Sequence, residues 1–571
     1  MKLPIRKEHY FLEALDVEDI SNLKRWTDEL EKFPLDSPEQ ITIFLEKVDE
    51  LAHKIADFGA EIYIAMTCNT ADKSLASQYS VFQANIVAYY AQKDFNFKSK
   101  FLDSPACKEW VQQYGSIGAL LHMILKKDHD IFREENIPLA VRESELGVEY
   151  RTISGGMTVD FRGEEKTLPE MGVFLKDKDR NIREQAWKIR SEKMMGHKQQ
   201  LNILFDRLYA LRQEIARNAG FSNYRDYVHI AKGRFSYSVD DVFAFHDAIE
   251  HEMLPLIKEF NNRRKQILDL DTLRPWDMAV PLDGKVLKPV ANPADLAPKG
   301  VEILTQVDPE FGQNFQNMND SDLLDLLNRK NKAPGGYSYP LYKYGASFIF
   351  MNAVGLHSDL TTLVHEAGHA MHEFARANHP YTSFLELPME SAELASMSME
   401  MLTMPHWNIC YTDPADFRKA QKDQLEDALR FFPWCMTVDA FQQEIYTQNA
   451  DAQAREEIFI RLSDRFSAST GVDWSGLEEF RKIQWMFQLH IFEVPFYYIE
   501  YGIAQLGALA LYRFFRCSPK QAVQAYKDFL NAGTKKSLTD IYKTAGIELN
   551  FSREYVREIV DFVHEELLAL S

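Results

Sequence analysis

Two histidines four residues apart, with a glutamate directly after the first, make His365-Glu366-Ala367-Gly368-His369 the segment of this chain best equipped for chemistry. On a helix that spacing puts both imidazoles on one face, where they present two nitrogens to a single ion. Glu366 then lies beside the open position of the ion without being a ligand, placed to act as a general base. The pattern reads as a Zn2+ site, and zinc that activates water needs a third protein ligand and an open fourth position.

The segment LELPMESAELASMSMEML offers that third ligand, because Glu390, Glu393 and Glu400 fall at spacings of three and seven and so share a helical face. Carboxylates set among Ala, Ser, Met and Leu need a metal or a partner if they are buried. His372 also follows His369 on the same side. A three-histidine HExxHxxGxxH site, however, wants glycine where this chain has His372 and histidine where it has Ala375, so a carboxylate is preferred as the third ligand.

These side chains must be held by helices and by at least one strand. Leu363, Ala367, Ala370 and Phe374 form an apolar stripe, with Ser358 or Asp359 as cap, which predicts a helix over about 360–376. Upstream, a glycine turn in KAPGGYSYPLYKYGASFIFMNAVG precedes a strand over Ser347 to Asn352; Phe348 to Asn352, read as an edge strand, would pair with an extended peptide. From Asp359 onward the pattern is helical. The first hundred residues also read as helical, with a start at Ser37, Pro38 and Gln40 and a core stripe of Phe44, Val48, Leu51 and Ile55. Between about 140 and 165, β-branched alternation around Gly155-Gly156 predicts a strand pair. Helical patterning resumes over about 168–270, and the five prolines from Arg274 to Gly300 predict an irregular excursion.

A chain of 571 residues exceeds one ordinary core, and 46% hydrophobic with 26% charged residues places it among globular proteins. A net charge of −20 without a long basic run argues against nucleic acid as a partner. Five scattered cysteines, odd in number and without CxxC spacing, support neither a disulfide framework nor a thiolate metal site. The opening residues build no apolar secretory segment, and no apolar run reaches the ~18 residues of a membrane span. The expectation is a cytoplasmic protein with no membrane partner.

HEAGHAMH at 365–372, the ESAELASMSME segment, GGYS and FIFMN upstream, and HIFEVPFYYIEYGIA at 490–504 together resemble the M3 oligopeptidases, and most closely their oligoendopeptidase F and Pz-peptidase branch. The resemblance covers most of the chain. It implies a mainly α fold, a large helical clam-like zincin with a deep substrate channel and a small β element carrying an edge strand before the HExxH helix. The organisation is read as an N-terminal helical region over 1–110, a connecting region with a β-hairpin over 111–200 and a catalytic domain over 201–571.

In that family the third ligand is a Glu followed seven residues later by another. Glu393 and Glu400 match this, whereas Glu390 has Met397 at that distance, so the implied ligands of one zinc per chain are His365, His369 and Glu393. Glu366 is the implied general base. His490, Tyr498 and Tyr501 are implied to contact the substrate carbonyl in the transition state, and Tyr497, Phe350 and Asn352 to bind substrate. Oxyanion donors of this kind act strongly in a water-poor cleft. The implied function is endohydrolysis of short peptides. A zinc carboxypeptidase of related helical fold and a noncatalytic helical peptide-binding protein are the alternatives.

Overall fold

The computed structural model describes residues 15–385 and 387–570. The opening residues 1–14, read above for a secretory segment, lie outside the described residues. The described chain is mostly helical, with two small sheets among the described residues. No helix in it is long and apolar enough to cross a membrane.

Strands β1 (Thr158–Phe161) and β2 (Glu164–Thr167) form an antiparallel hairpin. Its two-residue turn, Arg162-Gly163, has positive φ at both positions (60° and 81°), as tight hairpin turns require. The strand pair expected over 140–165 therefore begins later than the β-branched pattern indicated. Asn136–Gly155 is one helix that buries Leu146, Gly147 and Tyr150 against the core, and this packing overrides the local strand preference.

The second sheet holds β3 (Leu324–Leu327), β4 (Tyr337–Leu341) and β5 (Ala346–Ala353) in the order β3-β5-β4. β5 runs parallel to β3 and antiparallel to β4. The strand expected at Ser347 to Asn352 is thus present but central, with both edges paired. The edge next to the metal-binding helix belongs to β4, where Pro340 is tolerated.

Among the described residues three apolar clusters organise the interior. One gathers residues from Leu15 to Leu125 and adds Tyr381, Phe384 and Leu385 from the turn after the HExxH helix; a second, much larger, holds most of the remainder, and a small third is built on Trp187, Trp276 and Leu477. Helix Pro38–Cys68 joins the first two. Its Asp49 carboxylate accepts from the Ser383 N–H at 2.8 Å, and His53 pairs with the Thr382 hydroxyl at 2.9 Å. Its Asp57 accepts from the N–H groups of Tyr342 and Lys343 at 2.7 and 2.8 Å, just beyond β4.

The HExxH helix runs His357–Arg376. Neither Ser358 nor Asp359 is its cap residue. Leu356 is the cap, and Asp359 is the third residue of the helix; its Oδ2 accepts from the N–H groups of Val354, Gly355 and Leu356 at 2.8, 2.6 and 2.8 Å, fastening the end of β5 to the helix start. The acidic helix, Met389–Thr403, is buried almost throughout. It reaches the HExxH helix at Gly368, where an added Cβ would lie 2.6 Å from Ser396 Cα and 2.7 Å from the Ala395 carbonyl oxygen. On another side it meets helix Tyr498–Cys517 at Gly507, where a Cβ would lie 2.9 Å from Leu394 Cδ1.

Because the atoms facing Gly368 are backbone, Gly368→Ala forces the two helices apart and is expected to cost about 1–3 kcal/mol or more. Gly196→Ala, whose Cβ would enter open space, is the control and should move stability by less than ~0.5 kcal/mol. The shift in denaturant midpoint checks both.

Candidate metal centre

Helix spacing places His365 and His369 with ring centroids 5.0 Å apart on one face of their helix. Glu393 arrives from the acidic helix, its Oε2 3.4 Å from His365 Nε2 and 3.7 Å from His369 Nε2. One ligand atom from each of the three lies within 4.8 Å of the others. Bonds of ~2.0–2.1 Å to a tetrahedral zinc separate ligand atoms by about 3.4 Å, so the three donors need little adjustment to hold the ion.

The surrounding hydrogen bonds aim these donors. Glu400 Oε1 bonds His365 Nδ1 at 2.7 Å, so that nitrogen carries the proton and Nε2 offers its lone pair to the ion. Gln424 Nε2 in turn donates to Glu400 Oε2 at 2.6 Å. Glu393 is oriented by Ser396 Oγ, donating to Oε2 at 3.1 Å, and by the Tyr497 hydroxyl, donating to Oε1 at 2.9 Å.

Charge in the site favours a cation. Burial would raise the Glu393 carboxyl, yet His369, His365 and Tyr497 draw it down to about 2. Burial would discourage a proton on His365, yet Glu393 and Glu400 hold that imidazole well above its ordinary value. A proton there does in part what a dication would do fully: it neutralises two carboxylates. Burial lowers the His369 imidazole to about 4, leaving it neutral as a ligand must be. Glu366, buried beside the ligands, is pushed up to about 7, mainly by desolvation. Gly336, the residue before β4, comes so close that its added Cβ would lie 3.8 Å from Glu366 Oε1. The free-edged strand and the base are therefore neighbours.

The segment after Leu489 forms an aromatic wall. His490 packs against Tyr497, Tyr498 and Tyr501 with centroid distances of 5.8, 5.0 and 5.9 Å. Tyr497 and Tyr501, four apart and so on one helical face, lie 4.8 Å apart. Tyr501 is near enough to Glu393 and Glu366 that, after burial, their charges raise its pKa. Tyr498 turns to a different face. Its neighbours are Phe431 at 5.5 Å, the Trp434 indole, the His490 ring and the Tyr501 ring at 5.7 Å.

Tyr497, partly buried, bonds Glu393 through its hydroxyl. Phe350 is fully buried on the central strand, stacked on Tyr337 at 4.8 Å, and its side chain is closed to a substrate. Asn352 Nδ2 donates to the carbonyls of Ala333 and Gly335 at 2.8 and 2.9 Å and so shapes the glycine turn before β4. His372 is buried against Phe529, at 5.4 Å, outside the cluster of ligands.

Several supporting residues are not evident from the motifs. Arg234 Nη2 bonds Glu500 at 2.8 Å and also the carbonyl of Phe496, while the Phe496 N–H donates to Gln442 Oε1 at 2.9 Å. These bonds hold Phe496 at φ 61°, a strained conformation for an aromatic residue, immediately before Tyr497. Tyr237 donates to Glu390, one turn before Glu393. Arg234, Tyr237, Glu390, Glu500 and Lys232 line a cavity of about 680 Å³ that reaches to the amino-terminal helices. Lys232 lies over the Tyr497 ring at 5.1 Å, and the Tyr497 hydroxyl in turn bonds Glu393.

A mostly helical fold with two imidazoles, a carboxylate from a second helix and a glutamate base defines a zinc metallopeptidase of the HExxH-plus-glutamate type. The sequence profile of Peptidase family M3 matches residues 173–561, and the chain belongs to that family. An oligoendopeptidase F homologue of Mycoplasma pneumoniae is 24% identical over 552 residues, covering 88% of this chain and 86% of that protein. A solved structure of Pz peptidase A with an inhibitor superposes with a TM-score of 0.89 at 25% identity, covering 97% of this chain and 98% of that one. A solved oligoendopeptidase F structure also gives a TM-score of 0.89 at 25% identity, covering 97% of each chain.

Glu400→Gln tests the support of His365. Its new NH2 must face either the Gln424 amide or the His365 N–H, and a 10–100-fold loss of zinc affinity is expected, read by chelator competition.

Proposed function

We propose that this metallo-oligopeptidase cuts internal bonds of short peptides, using one zinc ion held by His365, His369 and Glu393. The observation that carries the reading is the meeting of Glu366, the three ligand atoms and Tyr501 beside the outer strand β4. Zinc, when bound, supplies a Lewis acid that polarises the scissile carbonyl and makes water acidic near neutral pH.

The chain's own groups do the rest. An extended peptide pairs with the free edge of β4, which aligns its backbone past Glu366. Glu366 takes the proton of the attacking water at its carboxylate and passes it to the leaving amine, a role suited to its raised pKa. Tyr501 and His490 donate hydrogen bonds to the carbonyl oxygen as its negative charge develops. Tyr497 holds Glu393 in orientation through the hydrogen bond between them. Five free cysteines fit a reducing compartment, and we assign the protein to the cytoplasm.

Glu366→Gln should keep stoichiometric zinc by elemental analysis while hydrolysis falls at least 10²–10⁴-fold; near-wild-type turnover would remove Glu366 from the mechanism. For the mode of cleavage, an internally quenched peptide blocked at both ends is expected to be cut by the zinc-loaded enzyme and spared after chelation. Release of C-terminal residues alone, from unblocked peptides alone, would assign a carboxypeptidase instead.

A further inference from the structure

His490 can act as a hydrogen-bond donor to the substrate only if the ring nitrogen facing away from its protein partner carries the proton. Its Nδ1 lies 2.6 Å from Gln488 Nε2. Gln488 Oε1 lies 2.7 Å from Trp434 Nε1. An indole nitrogen donates and never accepts, so the Gln488 oxygen must face Trp434 and its NH2 must face His490. An NH2 group donates, which makes His490 Nδ1 the acceptor. In a neutral imidazole one nitrogen accepts and the other bears the hydrogen.

We propose that Trp434 and Gln488 form a relay of fixed hydrogen-bond direction that holds His490 as the tautomer with its proton on Nε2. Both are positioning residues. They act through His490, and the assignment deepens the proposed function by resting on the reading of His490 as an oxyanion donor.

Burial keeps the ring neutral, lowering it to about 4, so the tautomer rather than an imidazolium decides what Nε2 offers at neutral pH. Reversing the relay would set the Trp434 N–H against the Gln488 NH2 at hydrogen-bond distance. Leaving the part-buried Gln488 NH2 unpaired in that orientation shifts the tautomer balance by roughly tenfold to a hundredfold. The ring itself has little freedom to escape, being held face-on by Tyr497 and edge-on by Tyr498 and Tyr501. The Tyr498 hydroxyl also approaches Trp434, where it too is an acceptor for the indole and leaves the direction of the relay unchanged.

The direct test is long-range proton–nitrogen NMR of zinc-loaded enzyme labelled at histidine, with the His490 signals identified by their loss in His490→Gln. The relay predicts a protonated Nε2 and a bare Nδ1 at pH 7. Gln488→Met, which keeps the length of the side chain but can neither donate nor accept in this way, should bring the Nδ1-protonated form into view. Trp434→Phe should do so to a smaller extent.

In kinetics, Gln488→Met is expected to lower kcat about tenfold to a hundredfold with KM changed less than twofold and zinc still stoichiometric. A protonated Nδ1 in the wild type overturns the relay, as does a tautomer unmoved by Gln488→Met. The NMR reading needs no turnover: should zinc-loaded wild type fail to cleave peptides, the functional proposal falls while the relay is still judged on its own signals.

Discussion

The closest approach between the HExxH helix and the acidic helix, at Gly368 against Ala395 and Ser396, sets the geometry of the metal centre. His365 and His369 belong to one helix and Glu393 to the other, so the spacing between their donors is the spacing between the two backbones. Zinc–ligand bonds tolerate only a few tenths of an ångström. An added Cβ would come within 2.7 Å of backbone on the opposing helix, where neither partner can rotate away. The composition of the acidic helix follows from the same constraint. Small residues occupy the line of contact, Leu394 and the methionines fill the remaining space, and the Gly507 contact presses that helix from another side.

Such close packing buries Glu390, Glu393 and Glu500 and half-buries Glu400, and the protein neutralises these carboxylates in two ways. Glu393 and Glu400 both face the His365 imidazole, which bonds them through its two ring nitrogens. Glu390 and Glu500 face Tyr237, Arg234 and Lys232. Arg234 links this second set to the site by also holding the Phe496 carbonyl, so the strained backbone that delivers Tyr497 to Glu393 is fixed by the charges that line the neighbouring cavity. A buried charge is costly without a partner. Here each partner also sets the direction of a functional side chain.

The parts of this arrangement that repeat at short range were legible in the sequence. Spacings of four in His365/His369 and of seven in Glu393/Glu400 survive in any helix, and the apolar stripe predicted the helix itself. Contacts between distant segments left no such trace. Nothing local marks Gln488 as a partner of Trp434 and His490, or Arg234 as the residue that holds Phe496. The run Tyr497-Tyr498 shows the limit within a helix: adjacent residues diverge by about 100°, and only the packing against Phe431 and Trp434 tells which one turns away. Likewise, Phe348 to Asn352 has the composition of a strand, but composition does not report whether a strand's neighbours lie on one side or both. The two strands that enclose it are short and contain Asp325 and Pro340, residues that weaken their own signal.

The position of β4 gives the amino-terminal helices a part in the site. Helix Pro38–Cys68 grips the end of β4 through Asp57 and the turn after the HExxH helix through Asp49 and His53. The near end of β4 is set by Asn352 through the turn at Ala333 and Gly335, and Asp359 ties the end of β5 to the start of the metal-binding helix. β4 and the helix that carries His365, Glu366 and His369 are therefore fastened into one frame, mostly by side-chain-to-backbone bonds, which cannot slide in register as a pair of apolar faces can. Under the proposed function, a peptide paired with β4 takes its position from the same frame that places Glu366. In that reading backbone pairing, rather than side-chain preference, sets the register of the scissile bond.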